Sequence, residues 1–256
     1  MDCGKIHGKI TSGMKTVFSD SGTGRAVLGL SGGIDSALCA RLAADCLGRE
    51  NVTALLIPEK GITPERTVNA AKAFAERLGI EYHLQEINEF IAPFGKVAWE
   101  QSKIAQANTR ARVRAVLLYN FANSNKALVV GTGNKSEMLL GYFTKFGDAA
   151  ADLLPIADLW KTEVFELADY LGLPKEILES APSAHLWVGQ TDKKELGADY
   201  ETLDAILRMY FEEGMSGKSI VGKGFEERLV QSLIKRVNKS EHKRHTPLVV
   251  KAGKGK

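Results

Sequence analysis

Three short apolar runs, at residues 26–30, 52–57 and 127–130, are bounded by turn-forming residues and separated by stretches of helical periodicity. Apolar runs of this length read as strands buried on both faces, the situation of strands in a parallel sheet. A weaker fourth run lies at 80–84. The stretches between them, 36–47, 63–78 and about 102–123, carry helical spacing and read as the crossovers that parallel strands require. Beyond Leu159 the strand signal ends, and 161–171, 175–180, 200–211 and 225–237 read as helices. The expected fold is α/β: a parallel sheet with helices on both faces and a helical C-terminal third, in one continuous domain over 1–256. Ligands of such sheets bind beyond the carboxyl ends of the strands, where strand order reverses. The residues after Leu30, Ile57 and Val130 are therefore expected to converge.

The first of these corners reads Gly29-Leu30-Ser31-Gly32-Gly33-Ile34-Asp35-Ser36 and leads into a helix. Two glycines allow successive N–H groups to turn inward as an anion nest. The helix start behind them adds unpaired N–H groups and partial positive charge, and Ser31 and Ser36 add hydroxyls. The loop has neither the lysine of a kinase-type P-loop nor the spacing of a dinucleotide fingerprint. It holds Asp35 instead, a carboxylate that would repel phosphate unless it carries Mg²⁺ bridging to the phosphates. The other reading is that Asp35 and Ser36 only cap the helix. In its strand–loop–helix setting the segment resembles the signature of the ATP pyrophosphatase superfamily, whose members cleave ATP between the α and β phosphates and adenylate an acceptor. The resemblance implies an adenine-nucleotide α-hydrolase-like fold.

A second strand-to-helix corner follows the run at 127–130: Gly131-Thr132-Gly133-Asn134-Lys135-Ser136-Glu137, then Gly141-Tyr142-Phe143-Thr144-Lys145-Phe146-Gly147-Asp148, then Asp152 and Leu159-Trp160-Lys161. From the residues alone, Glu137 could complete a Mg²⁺ shell begun by Asp35, Lys145 and Lys161 supply cations, and Asp148 and Asp152 supply acceptors. A solvated, turn-rich loop is the competing reading. Together with Asn108-Thr109-Arg110-Ala111-Arg112-Val113-Arg114, Pro182-Ser183-Ala184, Gln190-Thr191-Asp192 and Glu241-His242-Lys243-Arg244, the pattern resembles the ammonia-dependent NAD synthetases over nearly the whole chain.

That resemblance implies amidation of deamido-NAD to NAD with ammonia, through an adenylated intermediate with release of AMP and pyrophosphate. It implies ATP on Gly29, Leu30, Ser31, Gly32, Gly33, Ile34, Asp35, Ser36, Thr132, Lys161 and Ser183, and Mg²⁺ on Asp35 and Glu137. Deamido-NAD is implied on Arg112, Lys145, Asp152, His242 and Lys243. Asp35 and Lys161 are the expected catalytic residues. Asp148 is the candidate for binding or deprotonating ammonium, with a bare turn role as the alternative. The sequence departs from the family pattern at Lys193, where an acidic residue is expected, and at Ala149-Ala150, where glycines are expected and the loop should be stiffer. The family implies a homodimer with substrate near the two-fold interface. The stripe Val113, Leu117, Leu118 and Phe121 fits either core packing or that dimer face. Arg110, Arg112 and Arg114 cannot share one helix face; Arg112 is assigned to substrate, and the other two to solvent or an interface. Residues 183–196, with Trp187, form a candidate substrate-covering loop. Trp99, Trp160 and Trp187 are expected as packing anchors.

Composition narrows the alternatives. At 256 residues, 44% apolar and 25% charged, the chain is long enough for its own core and is neither a coiled coil nor a disordered chain. A net charge of +3 creates no general field for nucleic acid. Cys3, Cys39 and Cys46 make no C-x-x-C pair, consistent with a reducing, cytoplasmic setting; Cys39 and Cys46 are expected in the core. No apolar run reaches membrane-spanning length and no signal peptide is read. No glutaminase region is found. The rival readings are an ATP pyrophosphatase acting on tRNA and a non-catalytic nucleotide sensor.

Overall fold

The computed structural model describes residues 1–180, 187, 190–245, 247, 250 and 252. Four strands, β1 (Arg25–Gly29), β2 (Val52–Leu56), β3 (Glu81–Leu84) and β4 (Ala127–Val129), form one parallel sheet in the order β3-β2-β1-β4. The chain runs outward from β1 to β2 and β3, then returns to place β4 on the other side of β1. The reversal of strand order therefore falls between β1 and β4, and the crevice at their carboxyl ends is the expected ligand position.

Helices cover both faces, as the buried strand pattern requires. Ala26, Leu28, Val52, Ala54 and Leu56 point into a core shared with α1 (Cys3–Ser21), α2 (Ile34–Leu47) and α3 (Glu65–Leu78). Val27, Leu55 and Val129 point the opposite way. There they meet the short α4 (Asn88–Ile91) and the long α5 (Lys103–Asn125). Strand β3 is the sheet edge, with one pairing partner and mostly exposed side chains, which is why its sequence signal is the faintest. Helix α2 is buried nearly all round, at Ala37, Leu38, Cys39, Ala40, Leu42 and Ala43, because it packs on the sheet and against α1. Cys39 and Cys46 are both core residues, as expected.

Helix α1 is the main element that the sequence reading leaves unassigned. Its buried stripe of Cys3, Ile6, Ile10, Met14 and Phe18 has helical spacing. Gly4, Gly8 and Gly13 blunt that signal, since each glycine costs about 1 kcal/mol of helix propensity. Packing against α2 overrides the penalty, and the Asp2 side chain caps the first turn by accepting from the Lys5 N–H at 3.0 Å.

The remaining helices are α6 (Lys135–Leu140), α7 (Lys161–Tyr170), α8 (Lys175–Leu178), α9 (Asp192–Leu196), α10 (Tyr200–Phe211), α11 (Gly217–Val221) and α12 (Glu227–Ser240). α7 and α8 join the first core, while α6, α9, α10, α11 and α12 enclose a second core around Trp160, Leu203, Leu207 and Leu233. The starts of α6 and α7 thus sit where the sheet core and the helical core meet. No helix among the described residues is long and apolar enough to cross a membrane.

One alternative left open is decided and two expectations are revised here. Val113, Leu117, Leu118 and Phe121 are half-buried and pack against the sheet core, which is the first of the two readings. Exposed apolar side chains occur on α4, on the connection after it and on α5, at Phe90, Phe94, Trp99, Ile104 and Val116; Trp99, expected as a packing anchor, is 69% exposed. In the candidate covering loop, residues from Asp192 to Leu196 form α9, fixed because Asp192 and Leu196 are both buried.

Candidate active site

The loop after β1 is braced by its own serines. Ser31 and Ser36 hydroxyls lie 3.0 Å apart; the Ser31 N–H donates to Ser36 Oγ at 3.2 Å and the Gly33 N–H to Ser31 Oγ at 3.2 Å. Gly32 has φ +84°, and a Cβ there would lie 2.5 Å from the Thr67 carbonyl oxygen. Only glycine fits, because the turn needs a left-handed residue pressed against α3. The N-cap of α2 is Gly33, which makes no side-chain cap. Asp35 and Ser36 therefore do not cap the helix, and the first-turn N–H groups of α2 lack intrahelical partners. This is the geometry of an anion cradle.

Asp35 points across the switch point to the second corner. Its Oδ1 accepts from Asn134 Nδ2 at 2.9 Å and its Oδ2 from the Lys161 ammonium. Lys161, only 2% exposed, lies 3.6 Å from Glu137 Oε1 as well. Asn134 is fully buried and holds Glu137 through a reciprocal cap: its Oδ1 accepts from the Glu137 N–H at 3.0 Å, while its own N–H donates to Glu137 Oε2 at 3.3 Å. Burial, followed by the neighbouring Asp35 carboxylate, pushes the Glu137 carboxyl up to about 8, against the pull of Lys161. Burial also works against the Lys161 ammonium, but Asp35 and Glu137 outweigh it and hold the lysine above its ordinary value. Burial thus holds Glu137 toward its protonated form beside the Asp35–Lys161 pair; when an arriving cation displaces that proton, two carboxylates face one ammonium next to the phosphate loop.

Asp35, Glu137 and Lys161, read separately from the sequence, are thus brought into contact. Thr132 lies half-buried in the same connection, and Ser183 lies outside the described residues. A second group forms beside the loop after α6. Lys145 Nζ donates to the His242 carbonyl at 2.6 Å, and Arg112 Nη2 to the Lys145 carbonyl at 3.3 Å. Lys243 Nζ donates to the carbonyls of Gly141 and Phe143, at 2.7 Å each. Asp148 accepts from the Thr144 N–H at 2.9 Å, and Thr144 in turn donates to Asn108 at 2.8 Å. Protein packed around the Asp148 carboxyl raises its pKa, although the residue as a whole is exposed. Tight turns run through 144–150, with Gly147 N–H to Thr144 O and Ala150 N–H to Gly147 O, both at 2.9 Å.

Asp152 stands apart from this group. Its oxygens accept from the Val129 N–H at 2.7 Å and from the Tyr119 hydroxyl at 3.2 Å, so it ties β4 to α5. The arginine assignment is corrected in part. Arg112 is exposed, but Arg110 pairs with the buried Glu59 at 2.6 Å and Arg114 Nε donates to the Ile57 carbonyl at 2.9 Å. Four residues apart, Arg110 and Arg114 share the helix face that holds the loop after β2.

Several neighbours escaped the sequence reading. Asn134 was legible in principle, since Asn134-x-x-Glu137 spells a capping box. Ser136, Tyr200 and Asp204 carry no such signal because their partners are distant in the chain. The Tyr200 ring lies 5.3 Å from Lys161 Nζ, and its hydroxyl donates to Asp192 Oδ2 at 2.9 Å.

No group of three or more His, Cys, Asp or Glu side chains positioned for a metal ion is found among the described residues. Two carboxylates are nevertheless a sufficient protein share for Mg²⁺, which commonly takes one or two carboxylates and completes its shell with water and substrate phosphates. The cation already lodged between Asp35 and Glu137 shows that this pair accepts positive charge.

Comparison with known proteins agrees with the geometry. A family model described as NAD synthase matches residues 6–247. An NH(3)-dependent NAD(+) synthetase of Archaeoglobus fulgidus is 47% identical, over 98% of each chain. Among solved structures, an NMN synthetase from Francisella tularensis superimposes with a TM-score of 0.87 at 34% identity, covering 98% of this chain and 99% of that one. An NH3-dependent NAD synthetase from Campylobacter jejuni gives 0.83 at 31% identity, covering 98% of this chain and all of that one.

Proposed function

The chain belongs to the NAD synthase family, and from that premise we infer that it is a carbon–nitrogen ligase making NAD from deamido-NAD, ammonia and ATP. The observation that carries the reading is the contact of Asp35, Glu137 and Lys161 across the switch point beside a glycine-built anion loop. The nicotinate carboxylate attacks the α-phosphorus of ATP, the bond to pyrophosphate breaks, and ammonia then displaces AMP from the acyl adenylate.

In this reading the loop from Gly29 to Ser36 and the first turn of α2 orient the triphosphate with backbone N–H groups. Asp35 and Glu137 hold Mg²⁺, which when bound neutralises the phosphates and the departing pyrophosphate. Lys161 places a fixed cation beside them in a site largely closed to water. Arg112, Lys145, His242 and Lys243 take the acidic dinucleotide, and Asp148 receives the proton that ammonium sheds; Asp152, tied to β4 and α5, contributes by fixing that connection. Thr132 is a further proposed ATP contact, and Ser183, outside the described residues, is proposed there from family membership alone. The exposed Phe90, Phe94, Trp99, Ile104 and Val116 form the face on which a second copy docks. Nothing in the site favours a tRNA acceptor or a silent sensor, since the proposed catalytic set is complete.

The test is an endpoint assay with ATP, MgCl₂, ammonium chloride and deamido-NAD, quantifying NAD, AMP and pyrophosphate together. Equal amounts of all three are expected. ATP cleaved without NAD would overturn the acceptor, and no cleavage would overturn the ligase. Because one structural neighbour is an NMN synthetase, a parallel reaction with nicotinic acid mononucleotide decides between dinucleotide and mononucleotide acceptors. The dinucleotide is expected to be the better substrate.

The metal assignment has its own prediction. Asp35→Asn and Glu137→Gln should each raise the Mg²⁺ concentration for half-maximal rate by roughly 10- to 100-fold. A Mg²⁺ titration matching the parent would remove the pair from the metal site.

A further inference from the structure

Helix α7 begins with Lys161, and its own Glu163 caps only the Trp160 N–H, accepting at Oε2 at 2.9 Å. Its N-cap is Trp160, an indole that cannot accept a hydrogen bond from the first-turn N–H groups. Those N–H groups are instead satisfied from other helices. The Lys161 N–H donates to Ser136 Oγ on α6 at 2.9 Å, and the Thr162 N–H donates to Asp204 Oδ2 on α10 at 2.9 Å. The Ser136 hydroxyl then donates to the other Asp204 oxygen. Asp204 is 1% exposed, and each of its oxygens is occupied by one of these donors.

The same helix face also reaches the other end of the lysine. Tyr200, one turn before Asp204 on α10, places its ring 5.3 Å from Lys161 Nζ. Ser136 is the residue next to Glu137, so the chain Asp204–Ser136–Lys161 N–H joins the helix starts that carry Glu137 and Lys161. A carboxylate at a helix start is favoured by the unpaired N–H groups and the helix dipole. Here that carboxylate comes from a third helix, in the second core.

We propose that Asp204 is a positioning residue for the ligase reaction: acting through Ser136 and the first turn of α7, it sets Lys161 in register with Glu137 and Asp35. It touches no substrate. Its effect passes through the lysine, and the inference rests on the site reading given above. In Asp204→Asn the amide oxygen can keep the Thr162 N–H while the NH₂ group donates to Ser136 Oγ. That hydrogen bond is reversed, the Ser136 hydroxyl proton loses its acceptor, and the negative charge at the start of α7 is gone with the volume kept. Ser136→Ala removes the bridge alone and leaves Asp204 on Thr162.

The experiment compares Asp204→Asn, Ser136→Ala and a packing control, Leu207→Ala, in steady-state assays below their melting temperatures. Leu207 is buried on α10 in the second core, and its truncation lowers Tm without touching the clamp. The expected result is a kcat about 10- to 100-fold lower in Asp204→Asn and Ser136→Ala, with KM for deamido-NAD unchanged and the control at parental kcat. In a Lys161→Met background, Asp204→Asn should cost no further kcat, because the two act as one unit. Parental kcat in both clamp variants, with only Tm reduced, would overturn the proposal, as would a loss that adds in full to that of Lys161→Met. If Lys161→Met itself keeps the parental rate, the site reading has failed. If it collapses while the clamp variants do not, the failure belongs to Asp204 alone.

Discussion

A Lys161→Met enzyme is expected to lose about 1,000-fold or more in kcat/KM. Methionine fills similar space, so the loss measures the ammonium and not a cavity. Removing one preorganised donor at a site of developing charge commonly costs 10²- to 10³-fold, and Lys161 is also the cation between two carboxylates. Stability should fall too, since Asp35 loses its buried cation and keeps only a protonated Glu137 beside it. Removing one partner of a fully buried pair costs about 3–5 kcal/mol. The partial exposure of Asp35 and Glu137 reduces that to about 2–3 kcal/mol. Because the vacated space lies between two carboxylates, MgCl₂ should raise the variant's Tm more than the parent's while leaving its rate low. Lys161→Arg should not rescue the rate, as a planar guanidinium has no room at a position 2% exposed. Near-parental kcat/KM in the methionine variant would remove Lys161 from the chemistry.

Adjacent glycines should behave in opposite ways. Gly32→Ala forces an L-residue to φ +84° and drives a Cβ to 2.5 Å from a backbone carbonyl that cannot rotate away. The conformational strain alone is about 1–2 kcal/mol, and relieving the contact moves the loop from α3. ATP affinity is expected to fall at least about 100-fold, the energetic equivalent of roughly 3 kcal/mol, with a lower Tm. Gly33 has φ −84°, and its added Cβ would meet only Ser31 Oγ at 3.4 Å. Gly33→Ala should therefore bind ATP within a few-fold of the parent. Calorimetric titration of both variants with ATP decides the matter. Equal losses would mean that the loop is read by side-chain space in general and not by the handedness of one turn.

Strands β1, β2 and β4 were legible because they pack into core on both sheet faces, leaving apolar runs that no helix period explains, whereas exposed β3 left only a faint one. The long crossovers were legible for the complementary reason: α2, α3 and α5 must each turn one stripe to the sheet. Helix α1 was missed although its stripe is regular, because three glycines lower local propensity and only contact with α2 restores it. The stripe at 113–121 was ambiguous because core and interface select the same residues; the sheet beneath α5 resolves it as core.

The site divides along the same line. Asp35 stood out because a carboxylate inside an anion loop conflicts with its neighbours unless a cation is present, and that conflict is local. Glu137 and Lys161 could be named from their corners, but their mutual contact depends on β4 returning beside β1. Tyr200, Asp204 and the bond from Asn134 to Asp35 act across separations that no spacing rule spans. Trp160 shows this most directly. As a helix N-cap it is a poor choice by local rules, and it is tolerated because Ser136 and Asp204 satisfy the start of α7 from elsewhere. Local chemistry, set by each residue and its near neighbours, was written in the chain: strand, loop, anion cradle and cation-seeking carboxylate. The shared seat of the lysine is a property of packing, because hydrogen bonds and ion pairs are short-ranged and need groups that only the folded sheet and the second helical core bring within about 4 Å.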